Sequence, residues 1–297
     1  MADPTGTLRS VRTTMLNMAY LESGPAGGPE VVLLHGFPYD VHTYDEVAPR
    51  LAAKGCRVIV PYLRGYGPTR FIDAAIPRSG EQAALGKDLI DLIEALDLKA
   101  PIVGGYDWGG RAACIAAALR PDRVKGLVTG GGYNMMADYD PKQLLPPLMH
   151  HLFWYQYYLH RPNAHEHLAA QRDEYCRYIW SSWSPTWHFD DATFAQTARS
   201  FANPDFVDVV VHSYRHRWAL ADGDPALAEL ARKAATRPSI SVPTVALYGE
   251  AGALATAMAK DKSRFTGPWQ FMSLPGIGHN IPQEAPAAMA DAVLRLL

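Results

Sequence analysis

Gly105-Tyr106-Asp107-Trp108-Gly109-Gly110 is the stretch whose reading decides the fold. It stands directly after the apolar run Pro101-Ile102-Val103-Gly104 and directly before a helix-like segment, 111–119. Small residues around one polar residue permit a tight strand-to-helix turn that exposes the central side chain, a nucleophile elbow. The central residue here is Asp107. An Asp ahead of a helix can also be a plain N-cap, so the surrounding sequence must decide between the two.

Upstream, Val31-Val32-Leu33-Leu34 is short and wholly apolar, as a buried parallel strand requires. A helix is expected over 44–54, ending at Gly55, and a strand at Arg57-Val58-Ile59-Val60. Segment 81–96 is amphipathic, with Leu85, Leu89, Leu92, Ile93 and Leu96 on one stripe. Another strand is expected over 124–129. This alternation predicts an α/β fold, a mostly parallel central sheet flanked by helices.

The alternation then stops. Residues 133–218 hold 18 of the chain's 31 Phe, Trp and Tyr residues and no clear buried strand. They read as a helical insertion with an aromatic core, part of it lining an apolar pocket. The α/β pattern resumes over 242–248 and Trp269–Leu274 and closes with a helix over 283–297. The expected organisation is therefore a core in two parts, 1–132 and 223–297, interrupted by a helical lid, 133–222.

Two further motifs favour the elbow over the cap. His35-Gly36-Phe37-Pro38 directly follows the first apolar strand. Such a loop supplies one backbone N–H of an oxyanion hole, assigned to Phe37, and the second is assigned to Trp108. His35 reads as structural. Leu274-Pro275-Gly276-Ile277-Gly278-His279-Asn280 follows the last strand, where a general base belongs. With eleven histidines in the chain, position rather than presence singles out His279.

On these motifs the chain resembles the epoxide hydrolase and haloalkane dehalogenase branch of the α/β-hydrolase family, from His35 to the C-terminus. It is more similar to the soluble epoxide hydrolases. Phe153-Trp154-Tyr155-Gln156-Tyr157-Tyr158 and Ser213-Tyr214-Arg215 resemble the two lid-tyrosine segments of that group, which makes Tyr155 and Tyr214 the paired lid tyrosines. The resemblance implies that Asp107 attacks an epoxide carbon and forms an alkyl ester. The tyrosines then donate to the epoxide oxygen, and His279 activates the water that cleaves the ester. An alkoxide leaving group is more basic than a phenol of pKa about 10 and needs such a donor; a halide needs only N–H groups. Haloalkane dehalogenases often carry Asn where Phe37 stands. Fluoroacetate dehalogenases share the Phe, but have Arg in place of Trp108 and a His-Trp pair in place of Tyr155-Gln156. Dehalogenation therefore stays as the alternative.

One departure from the family bears on the second half-reaction. The resemblance implies an acidic residue after the strand ending at Tyr248, and the expected position is Gly252. Glu250 is the candidate substitute. After the preceding strand the segment is Gly130-Gly131-Gly132-Tyr133-Asn134, with Asp138 the nearest acid. A pocket protein with weak or no turnover, binding small apolar ligands, is the non-enzyme alternative.

Composition narrows the rest. Apolar residues are 48%, charged residues 20% and the net charge −2, an ordinary globular balance with no nucleic-acid footprint. Cys56, Cys114 and Cys176 lack metal-like spacing and fit a reducing compartment. No start segment looks like a secretion signal, and no apolar run reaches the roughly 18 residues of a membrane span. The expectations are a cytoplasmic protein with no cofactor or metal, acting on a small apolar epoxide and water.

Overall fold

A computed structural model describes residues 6–252 and 262–297. Nine strands form one sheet among them: β1 (Thr7–Arg12), β2 (Leu16–Ser23), β3 (Glu30–Leu34), β4 (Arg57–Pro61), β5 (Arg70–Phe71), β6 (Ile102–Tyr106), β7 (Gly126–Gly130), β8 (Thr244–Gly249) and β9 (Trp269–Leu274). Their order is β1-β2-β4-β3-β6-β7-β8-β9, with β5 beside β2. From β4 to β9 every neighbouring pair is parallel, and β1, β2 and β5 join antiparallel. β6 is central and buried along its whole length. Its carboxyl end, where ligands of such sheets bind, carries Asp107.

The helices are α1 (Val47–Ala52), α2 (Gln82–Ala95), α3 (Asp107–Leu119), α4 (Pro147–Leu152), α5 (Trp154–Tyr158), α6 (Ala164–Trp183), α7 (Asp191–Ala198), α8 (Phe206–His216), α9 (Ala228–Ala235), α10 (Ile281–Glu284) and α11 (Pro286–Leu294). α4 to α8 lie in the chain between β7 and β8, and α6 packs on α8. α9 returns to the sheet's flank against α2 and α3. The insertion is fastened to the core beside the Phe37 loop. Buried Asp40 accepts hydrogen bonds from Thr197 Oγ1 at 2.9 Å and Ser200 Oγ at 2.5 Å, and Trp180 Nε1 donates to the Pro38 carbonyl at 2.8 Å. No helix among the described residues is long and apolar enough to cross a membrane.

Several expected elements differ in detail. The helix expected over 44–54 is a 3₁₀ turn, Val41–Tyr44, followed by the short α1. Asp40 caps that turn by accepting from His42 N. The helix expected over 283–297 begins earlier, at Ile281, and breaks at Ala285, whose φ of −141° and ψ of 59° are not helical. Pro286 follows, and the residue before a proline is pushed out of the helical region. The edge strand β1 and its neighbour β2 were not expected at all. β1 is almost wholly exposed and so has no apolar run to announce it.

Candidate active site

Asp107 opens α3 with a φ of +51°, in the left-handed region that non-glycine residues rarely occupy. The turn depends on close approach from its neighbours. A Cβ on Gly36 would lie 2.6 Å from Asp107 Cβ, and one on Gly109 would overlap the Leu34 and His35 carbonyl oxygens. The strained turn lifts the Asp107 carboxylate out of the sheet while keeping it 9% exposed.

Each carboxylate oxygen has its own surroundings. Oδ1 accepts the Phe37 N–H at 2.9 Å. Oδ2 lies 3.8 Å from His279 Nε2 and 3.9 Å from an Arg111 guanidinium nitrogen. The Trp108 amide, in the first turn of α3, makes no hydrogen bond to this carboxylate among the described residues. His35 sits behind the loop: its Nε2 accepts from Leu63 N at 3.1 Å and its Nδ1 donates to Gly36 O at 3.0 Å. Burial drives the His35 pKa down to about 4, so it is a neutral structural residue.

The His279 side chain is 7% exposed, and its Nε2 has no hydrogen-bond partner among the described residues. Desolvation lowers its pKa; the Asp107 charge pulls the other way, and Arg111 adds to the lowering. The loop that carries it is clamped through its backbone. Ser184 Oγ accepts from His279 N at 2.9 Å and donates to Glu284 Oε1 at 2.6 Å. Glu284 also accepts from Gly278 N at 2.6 Å and Asn280 N at 3.0 Å. The Asn280 side chain accepts from Thr43 and Tyr106, which ties the loop to the sheet.

Tyr155 and Tyr214 meet. Their ring centroids are 5.2 Å apart at 87°, and Tyr214 is 5.3 Å from Phe37 and 5.9 Å from Trp108. Trp183 bridges Tyr155, at 4.9 Å, and His279, at 4.7 Å. The Tyr214 hydroxyl and the Trp108 indole N–H are buried without partners. The Tyr155 hydroxyl is bonded to Gln156 Nε2 at 2.7 Å, and Gln156 Oε1 accepts the Trp218 indole N–H at 2.7 Å. An indole is only a donor, so it fixes the amide with its NH₂ toward Tyr155. Tyr155 is therefore the acceptor in that bond, and its own proton is free for the pocket. Burial raises the pKa of both phenols and keeps them protonated.

The profile of the alpha/beta hydrolase fold family matches residues 29–286. The chain belongs to that family. Among solved structures, a Klebsiella pneumoniae protein assigned by inference as an epoxide hydrolase has a TM-score of 0.94 and 41% identity, covering 98% of this chain and 97% of its own. Among curated relatives, epoxide hydrolase A of Mycobacterium tuberculosis is 24% identical, over 98% of this chain and 97% of its own length. An epoxide hydrolase of Caballeronia sordidicola is 33% identical over 42% of this chain and 38% of its own length. A haloalkane dehalogenase of Mycobacterium marinum is 36% identical over 41% of this chain and 40% of its own length. The matched stretch thus spans well under half of these last two relatives.

In this member of the alpha/beta hydrolase fold family, Asp107, Phe37, Trp108, His279, Tyr155 and Tyr214 come together, and Glu250 does not join them. Glu250 is exposed, and its carboxylate accepts from Ser273 Oγ on β9. No hydrogen bond or ion pair joins it to His279 among the described residues. The physical reason is local: Glu250 N is bonded to Leu274 O, which holds the residue at the end of the β8–β9 pair. Gly252 lies beside the backbone of the loop that carries the histidine. A Cβ built there would lie 3.5 Å from His279 N and 3.6 Å from Trp183 O, ordinary contacts. Asn134, after β7, is occupied with Thr129, Gly130 and Gly132. Sequence reading missed Gln156, Ser184, Glu284 and Arg111. Arg111 alone carried a signal, standing four residues after Asp107 and so on its face of α3.

Proposed function

We propose that this protein is a hydrolase that opens an epoxide to a vicinal diol through an ester on Asp107. The observation that carries the reading is the division of the Asp107 carboxylate, with Oδ1 on the Phe37 N–H and Oδ2 free toward His279. Oδ2 attacks an epoxide carbon, the ring C–O bond breaks, and the departing oxygen takes a proton from Tyr155 or Tyr214. The product is a hydroxyalkyl ester and a tyrosinate, which regains its proton from solvent. His279 then takes a proton from water as that water attacks the Asp107 carbonyl carbon. Negative charge gathers on Oδ1, where the Phe37 N–H already points and the Trp108 N–H is the proposed second donor. Collapse breaks the bond to the alkyl oxygen, which leaves as the diol with the proton from His279. Residues 133–222 act as the lid over this chemistry.

Incubation with an aryl epoxide, followed by diol and intact mass together, tests the reading. It predicts diol with turnover, and neither diol nor adduct across a broad epoxide panel contradicts it. Two observations support second readings. The buried, unpartnered Trp108 indole N–H is a group a halide would use, so halide release from a chloroalkane and from fluoroacetate is measured alongside. The imidazole of His279 has no carboxylate partner other than Asp107 among the described residues, so a persistent adduct would mark a ligand-trapping protein with a stalled second step.

A further inference from the structure

Tyr155 and Tyr214 are held in different ways. Gln156 is fully buried, and its amide spans Trp218 and Tyr155: Oε1 accepts the indole N–H at 2.7 Å, and Nε2 donates to the Tyr155 hydroxyl at 2.7 Å. An indole only donates, so this chain of bonds runs one way, from Trp218 through Gln156 to the Tyr155 oxygen. Its two ends are pinned to each other. Arg215 in α8 donates to the Leu159 and Arg161 carbonyls beyond α5, at 3.0 and 2.6 Å, and His160 Nε2 donates to the Tyr214 carbonyl at 3.2 Å. The Tyr214 hydroxyl, by contrast, is buried with no hydrogen-bond partner among the described residues, and its ring lies against Phe37, Trp108 and Tyr155.

The difference bears on which phenol can lose its proton. The one that does becomes a buried phenolate, and a buried charge is costly unless a donor is aimed at it. A hydrogen bond received by the oxygen favours the ionised form. The Tyr155 oxygen has such a bond before the reaction begins; the Tyr214 oxygen has none. Tyr214 instead keeps an unengaged O–H, which suits holding the epoxide oxygen without proton transfer.

We propose that Tyr155 is the tyrosine that transfers its proton, that Tyr214 binds the epoxide oxygen, and that Gln156 and Trp218 are the positioning residues that set this division. The proposal rests on the epoxide reading above. As the bond from Asp107 Oδ2 to carbon forms and the ring C–O bond breaks, the Tyr155 proton passes to the departing oxygen. The tyrosinate keeps the Gln156 N–H bond until solvent returns a proton. Without the Trp218 N–H the amide is free to turn end for end, so that its oxygen accepts the Tyr155 O–H and holds the proton back.

Pre-steady-state ester formation on styrene oxide and on its 2-trifluoromethyl derivative, read by rapid quench and intact mass, tests the division. For attack at the CH₂ carbon, the fluorinated alkoxide is the weaker base and depends less on a proton donor. Tyr155→Phe should lower the saturating rate on styrene oxide at least about a hundredfold. Tyr214→Phe should act mainly on the half-saturating concentration, with a rate loss below about tenfold. Trp218→Phe, which keeps a ring against Tyr157, and Gln156→Leu should each lower the rate at least about tenfold. The losses in Tyr155→Phe, Trp218→Phe and Gln156→Leu should shrink on the fluorinated epoxide. Equal losses in the two tyrosine variants, or the larger in Tyr214→Phe, overturn the assignment. So does an unchanged rate in Trp218→Phe and Gln156→Leu, or a loss equal on both epoxides, which packing alone would give. The tyrosine variants decide the matter even where the other two fail to fold. No ester from the unaltered protein across a broad epoxide panel removes the epoxide reading and this division together; ester formation with the wrong order of losses removes the division alone.

Discussion

The two carboxylate oxygens of Asp107 have different neighbours, Oδ1 the Phe37 N–H and Oδ2 the imidazole of His279. Asp107→Asn removes the nucleophile and should lower ester formation by at least about a thousandfold, as loss of a nucleophile does elsewhere; retained diol formation would sink the assignment. Replacing both Tyr155 and Tyr214 with Phe should cost epoxide turnover at least about a hundredfold while sparing any halide release, since general acids contribute on that scale. Equal loss on both substrates would make them packing residues. Asp107, Phe37 and His279 were legible in the sequence because each is fixed by its own short stretch of chain, a strand end and the turn after it. Gln156 was not. Its role depends on Trp218, 62 residues away, and no local pattern encodes that meeting.

At the scale of elements, the loop after β9 is held firmly but its histidine is left without an orienting acid among the described residues. Ser184 and Glu284 fix the backbone of Gly278, His279 and Asn280. They fix position, not proton affinity. Gly252→Asp should supply the missing carboxylate, since a Cβ there meets only ordinary contacts. The expected outcome is ester hydrolysis faster by about a hundredfold, within the range by which such acids matter, with the rate of ester formation unchanged. Rapid quench with mass analysis separates the two steps; an unchanged hydrolysis rate would mean that another group already serves. The parallel strands β3, β4 and β6 could be read from composition because they are buried on both faces. β1 could not, because an exposed edge strand is held by its ladder to β2 and not by apolar burial.

For the whole molecule, stability and pH response are governed by buried charge. Arg64 and Asp88 form a fully buried bidentate pair, with both bonds at 2.7 Å. Arg64→Met strands the carboxylate and should cost roughly 3–5 kcal/mol in urea unfolding; a loss under about 1 kcal/mol would show that Asp88 protonates or rehydrates at little cost. Desolvation lowers the His279 pKa, so the imidazole stays neutral and basic below pH 6.5. Once Asp107 is an ester its raising charge is gone, and the lowering by burial and by Arg111 is left. The acid limb of the hydrolytic step should therefore fall below pH 6.5, and a midpoint above that value would contradict the buried geometry. The central claim is that oxygen reaches the diol through Asp107. A single turnover of an aryl epoxide by excess protein in ¹⁸O-water tests it most directly. The account predicts unlabelled oxygen in the first diol and the label in the Asp107 carboxylate; label appearing directly in that diol, with none in the protein, would contradict it.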